Sequence, residues 1–88
     1  MHCRHAVQKR FVYVLRSDRD RNRHYVGVTS NVEDRLHWHN VGLVDHTARA
    51  RPWHVIVSIE FRTQEAALAF ERYLKTGSGR AFAKRHFP

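Results

Sequence analysis

The sequence is poor in cysteine, in acidic residues and in long apolar runs, and each shortage closes off a class of protein. Cys3 is the single cysteine, so no internal disulfide can form and a reducing, cytoplasmic setting is expected. No apolar stretch nears the ~20 residues that a membrane-spanning helix needs. The first apolar run, Phe11 to Leu15, stops at Arg16 and is too short for a secretory signal. Only eight Asp and Glu are present. Several of them stand where turns and helix caps are expected, which leaves too few for a two-metal carboxylate cage.

What the chain has in quantity is positive charge. Sixteen Lys and Arg give 88 residues a net charge of +8, with 42% of residues apolar and 27% charged. That is the composition of one small globular domain, with a core that buries about 60–65% of the surface of the unfolded chain. The surplus charge favours a polyanionic partner, because cationic side chains placed on phosphates release condensed counterions. Most of the cations are Arg, whose planar fork fits phosphate better than a point charge does. Charge kept only for solubility is the plainer reading.

Residues 1–10 (MHCRHAVQKR) are polar, basic and without periodicity, and read as an arm before a domain over 11–88. Phe11 to Leu15 is β-branched and aromatic, the mark of a buried strand. Ser17 to Arg23 is a charged turn, and His24 to Val28 the returning strand of a hairpin. Ser30 and Asn31 offer N-caps, Glu33 and Asp34 suit a helix start, and Gly42 suits a helix end. A helix from about Val32 to Val41 follows, with Val32 and Leu36 on its apolar stripe and Arg35 and His39 on the border. Leu43 to Trp53 reads as an Arg-rich loop. His54 to Phe61 is a third strand with Val55, Val57 and Ile59 on one face. Thr63 caps a helix from Gln64 to Lys75 whose apolar face holds Ala66, Ala67, Phe70, Tyr73 and Leu74, with Glu71 at its margin. Gly77 and Gly79 break the chain, and Arg80 to Phe87 forms a short basic helix. The expected class is mixed α/β (α+β): a three-stranded antiparallel sheet flanked by helices, in the order β-β-α-β-α-α.

Hydrolysis of a phosphodiester needs a nucleophilic water, stabilisation of charge on phosphorus and help for the leaving oxygen. Glu71 is the best metal-ligand candidate, since one carboxylate and several waters commonly hold Mg²⁺ beside phosphates; an i, i+4 ion pair with Lys75 is the plain alternative. Arg35 suits a scissile phosphate, and His39, one turn on, suits a proton acceptor or phosphate ligand. Each is otherwise a surface Arg and a packed His. Tyr13 and Tyr25 would ordinarily be packing residues. With a reference pKa near 10, roughly one phenol in a thousand is ionised at neutral pH, so a tyrosine base needs cations clustered round it. Arg49, Arg51, Lys75 and Arg80 are candidate nucleic-acid contacts, and Trp53 and Trp38 are candidate base-stacking rings. His2, Cys3 and His5 form half a zinc site with no second pair. Lys75 to Arg80 lacks the spacing of a P-loop.

Taken together, Phe11-Val12-Tyr13, Tyr25-Val26-Gly27, Thr29, the run Arg35-Leu36-His37-Trp38-His39-Asn40, Gly42, His46-Thr47, Pro52-Trp53 and Phe70-Glu71-Arg72-Tyr73-Leu74-Lys75 resemble the GIY-YIG endonuclease family, in its small stand-alone branch. The resemblance covers nearly everything after Phe11. It implies a sheet flanked by helices and one divalent metal, Mg²⁺ or Mn²⁺, on Glu71. It also implies that Tyr13 activates water, Tyr25 orients the phosphate, Arg35 stabilises the transition state and His39 bonds to tyrosine or phosphate. Phe11 replaces the first-motif glycine, Val replaces Ile in both motifs, and His86 stands where some members carry a late Asn. The expected function is therefore a DNA endonuclease of low sequence specificity, acting on single-stranded, branched or damaged DNA, with RNA left open as a substrate. A non-catalytic nucleic-acid-binding module, or an adaptor for a repair nuclease, is the alternative.

Overall fold

A computed structural model describes residues 8–88. The strands are β1 (Arg10–Ser17), β2 (His24–Thr29) and β3 (Trp53–Phe61); the helices are α1 (Val32–Asn40), α2 (Asp45–Ala48), α3 (Gln64–Leu74) and α4 (Gly77–His86). The sheet is antiparallel in the order β2-β1-β3, so the expected mixed α/β architecture holds. Arg10, placed in the arm by composition, opens β1. His2, Cys3 and His5 lie outside the described residues.

β1 is the middle strand and is buried on both faces, with Val12, Tyr13, Val14 and Leu15 each 4% exposed or less. Because successive side chains alternate across a strand, Val12 and Val14 pack with Ala67 and Leu74 of α3. Tyr13 and Leu15 face the other way, onto Ala50, Trp53, Val32 and Leu36. The sheet therefore separates two small cores, one under α3 and α4 and one under α1 and α2. At 25 cal/mol per Å² each such side chain gains about 1.5–3 kcal/mol on burial.

β3 departs from simple alternation. A bulge opposite Val14 and Leu15 pairs Val14 with Val57 but Leu15 with Val55. Val55 therefore joins the α1 side, while Ile56, Val57 and Phe61 join the α3 side, which corrects the expected Val55/Val57/Ile59 face and the place given to Phe61. An extra residue in one strand reverses the facing of everything beyond it, and no residue type in His54–Phe61 marks where it falls.

Two helix boundaries also differ. The loop after Gly42 contains the single-turn α2. Gly77 and Gly79, read as breakers, lie inside α4, which is capped by the Thr76 hydroxyl accepting from Gly79 N at 3.1 Å. A Cβ at Gly79 would collide with the Tyr73 carbonyl, so this glycine lets α4 turn tightly back on α3. On α3 itself, Ala67 and Leu74 are buried, but Ala66 is exposed and Tyr73 is 36% exposed.

Candidate active site

Tyr13 is fully buried on the α1 side of the middle strand. Its partner across the β1–β2 ladder is Gly27, and the phenol ring lies over that glycine. A Cβ there would stand 2.6 Å from Tyr13 Oη and 2.7 Å from Cζ. The glycine of the second motif is thus needed for space rather than for backbone conformation.

α1 brings the next residues to the same face. Asn31 caps it by accepting from Asp34 N at 3.0 Å. Gly42, at φ 84°, ends it: Gly42 N donates to His39 O and Leu43 N to Trp38 O, the paired closure for which a left-handed residue is required. Asn40 clasps α1 to β3, its Oδ1 accepting from Trp53 N at 2.6 Å and its Nδ2 donating to Trp53 O at 3.0 Å. With the helix held at its C-terminal end, His39 is driven fully into the core. Arg35, one turn earlier, stays partly exposed with its guanidinium carbon 5.0 Å from the Trp38 ring centre.

Both ring nitrogens of His39 are satisfied: Nε2 lies 3.1 Å from Tyr13 Oη and Nδ1 2.9 Å from Thr47 Oγ1. The network assigns the protons. The Val44 carbonyl only accepts, so the Thr47 hydroxyl donates to it, at 3.1 Å, and must accept from His39 Nδ1–H. Nε2 is then a bare acceptor, and Tyr13 O–H donates to it. Trp53 steadies this chain from behind, its buried indole N–H donating to the Thr47 carbonyl at 2.8 Å. Thr47 and Asn40 had no role assigned from sequence. His46-Thr47 and Asn40 were visible only as parts of motifs, because their partners lie on other elements.

The electrostatics suit this assignment. Burial lowers the His39 pKa below its ordinary 6.5, and the charges of Arg35 and His46 lower it further, so the imidazole is neutral at pH 7. Tyr13 is pushed up to about 12, first by burial and then by Tyr25, against a smaller opposing pull from Arg35. The cation beside Tyr13 thus fails to make it a free phenolate. Tyr25 completes the group: half-buried, its ring centre is 4.6 Å from that of His39, 6.1 Å from Tyr13 and 5.4 Å from His46.

Glu71 comes from α3, the helix layer on the opposite face. Its carboxylate is 17% exposed and accepts from Lys75 Nζ at 2.7 Å, the ion pair that the i, i+4 spacing allowed. Among the described residues no group of three or more His, Cys, Asp or Glu is placed to hold a metal. Of the expected nucleic-acid contacts, Arg49, Arg51, Lys75 and Arg80 are exposed. Trp53 is not: at 3% exposure its ring is core, which corrects its assignment as a stacking surface. Its polar neighbours Arg51 and Pro52 suggested a loop, but the residue begins β3. Trp38, at 44% exposure, is the tryptophan with an open face.

A protein-family model for the GIY-YIG catalytic domain matches residues 9–85. The chain belongs to the GIY-YIG family. No curated protein matches it at a significant level. Membership in GIY-YIG implies nuclease activity in general, a nucleic-acid substrate and, for the family at large, use of a divalent metal. No described helix is long and apolar enough to cross a membrane.

Proposed function

We propose that this GIY-YIG protein is a metal-dependent DNA endonuclease of low sequence specificity, with residues 11–88 as the catalytic unit and residues 1–10 as a basic accessory arm. The observation that carries the reading is the ordered path Tyr13 O–H to His39 Nε2, with His39 Nδ1–H held by Thr47. A tyrosine near 12 is not a base by itself. It becomes one if, as its oxygen takes a proton from the attacking water, its own proton passes to His39. The water oxygen bonds to phosphorus, one P–O bond breaks, and the leaving oxygen takes a proton from solvent.

Arg35 sits beside both members of that path and is partly open to solvent. Drawn onto the scissile phosphate, its guanidinium stabilises the growing charge and uncovers the Tyr13 hydroxyl. The phosphate also offsets the positive charge that holds His39 low, so the imidazole gains basicity when substrate is seated. Tyr25, half-exposed beside His39, orients the phosphate.

The acid inventory fits a metal held through Glu71 alone. Its Oε2 takes Lys75, and one carboxylate with water and phosphate oxygens for the remaining positions is how Mg²⁺ is commonly bound; Mn²⁺ suits the same donors. Bound there, the ion would supply Lewis-acid stabilisation to phosphate oxygen. Repair of single-stranded, branched or damaged DNA in the cytoplasm is the setting we assign.

The test is cleavage of end-labelled DNA by purified protein with Mg²⁺, Mn²⁺ or EDTA, beside Glu71→Ala. We expect metal-dependent products from the wild type and a loss of at least ~100-fold in the folded variant, the scale on which one electrostatic contributor acts, with DNA binding retained. A folded variant that cuts as well as wild type would remove the metal role from Glu71. Binding without cutting under every metal would favour the non-catalytic binding module.

A further inference from the structure

The α3 side of the sheet changes character toward the hairpin end. Along β1 the row Val12, Val14 continues to Arg16; along β2 the row Val28, Val26 continues to His24. Where apolar packing stops, a cavity of about 830 Å³ opens between the sheet, the α3–α4 junction and the end of α4. Its floor is apolar, made by Val14, Val26, Ile56, Leu74 and Phe87. Its rim carries Arg16, His24, His46, Lys75, Arg80 and Lys84, and no lining residue is acidic. Like charges converging on a cavity repel one another unless an anion enters. Arg16 adds a second sign: its Nε is buried and has no hydrogen-bond partner among the described residues, an unusual and costly condition for a buried donor.

The cavity adjoins the candidate active site. Tyr25 and His46 form one of its walls, and the same Tyr25 ring stacks close to His39. Lys75, on the opposite wall, is the partner of Glu71. β2 is an edge strand, so a strand leaving the Tyr13 face passes over that edge directly into the cavity.

We propose that this cavity seats an unpaired nucleotide next to the scissile phosphate, making single-stranded DNA, or a single-stranded flank of a branched molecule, the preferred substrate. The inference rests on the nuclease reading for the word scissile, but the seat itself is a binding property. Arg16, Arg80 and Lys84 take the flanking phosphates, and the base lies on the apolar floor against Phe87 and Tyr25. The volume falls in the range of small-ligand sites, about 300–1,000 Å³. It has room for a nucleotide, but a base entering it must leave its Watson–Crick partner.

The experiment measures binding by fluorescence anisotropy, with EDTA present so that cutting plays no part. The probes are a labelled oligothymidine, the same strand with abasic positions, and a blunt duplex. Arg80→Gln/Lys84→Gln, both positions exposed on α4, is compared with Arg62→Gln/Arg85→Gln, which removes two charges outside the cavity. We expect the first pair to weaken oligothymidine binding at least ~10-fold and to reduce its salt slope by about two, with duplex binding changed much less. The control pair should affect both probes alike and weakly. The abasic strand should bind the wild type several-fold less tightly than oligothymidine. Equal losses for single strand and duplex, or equal losses from the two variant pairs, would reduce the cavity to general surface charge. Equal binding of the abasic strand would overturn the base seat. Because no readout depends on cleavage, a protein that binds as expected yet never cuts would fail the nuclease reading and leave the seat standing.

Discussion

Tyr13→Phe is expected to remove cleavage almost completely while the protein stays folded. The substitution keeps the ring over Gly27 and deletes only the hydroxyl that donates to His39 Nε2 at 3.1 Å. Positioned proton transfer contributes about 10²–10⁴-fold to rate, and the hydroxyl is the only group that links the attacking water to His39 in this account. The stability cost should be modest, about 1–3 kcal/mol for leaving a buried imidazole nitrogen without its donor. Single-turnover cleavage and thermal unfolding, measured on the same preparation, separate the two effects. A folded variant that cuts at the wild-type rate would remove Tyr13 from the chemistry.

Gly27→Ala is the second large effect, and it acts from the neighbouring strand. The added methyl would stand 2.6 Å from Tyr13 Oη, inside any real contact distance. The phenol cannot swing away cheaply, since the ring is wholly buried and tied to His39. Overpacking of this kind costs about 1–3 kcal/mol, and displacing a reacting group by about 1 Å can cost ~100-fold in rate. We therefore expect a lowered melting temperature together with a loss of cleavage well beyond what the unfolded fraction explains. DNA binding should be nearly unchanged, because no cation moves. If Gly27→Ala cut normally, the close seat of Tyr13 would have no catalytic consequence.

The sequence revealed those features whose cause is local. The hairpin was legible because Phe11–Leu15 and His24–Val28 carry strand residues on either side of a charged turn. α1 was legible because Asn31 and Gly42 punctuate it, and its i, i+4 spacing already put Arg35 and His39 together. The Glu71–Lys75 pair was legible for the same reason. What stayed hidden depends on contacts between distant elements. Thr47 orients His39 across eight residues of chain, and Trp53 is buried only because α1 and α2 close over the start of β3. The bulge in β3 is set by its pairing with β1. Gly79 resembled a breaker because the Tyr73 carbonyl that requires a glycine there belongs to the preceding helix. The cavity behind Tyr25 was hidden for a further reason: Arg16, Lys75 and Lys84 come from three separate stretches, and each alone reads as one more surface cation.

The central claim is that Tyr13 works as a base by handing its proton to neutral His39, and the pH dependence of single-turnover cleavage tests it most directly. With Tyr13 near 12, on the order of one phenol in 10⁵ is ionised at pH 7, so ionised tyrosine contributes little. His39 is the group that must be unprotonated, and its pKa is lowered from 6.5. The rate should therefore be level from about pH 6.5 to 9 and fall only on the acid side, with a midpoint below the ordinary histidine value. A rate that climbs tenfold per pH unit across that range would mean that a free phenolate or another base carries the reaction, and would contradict the account.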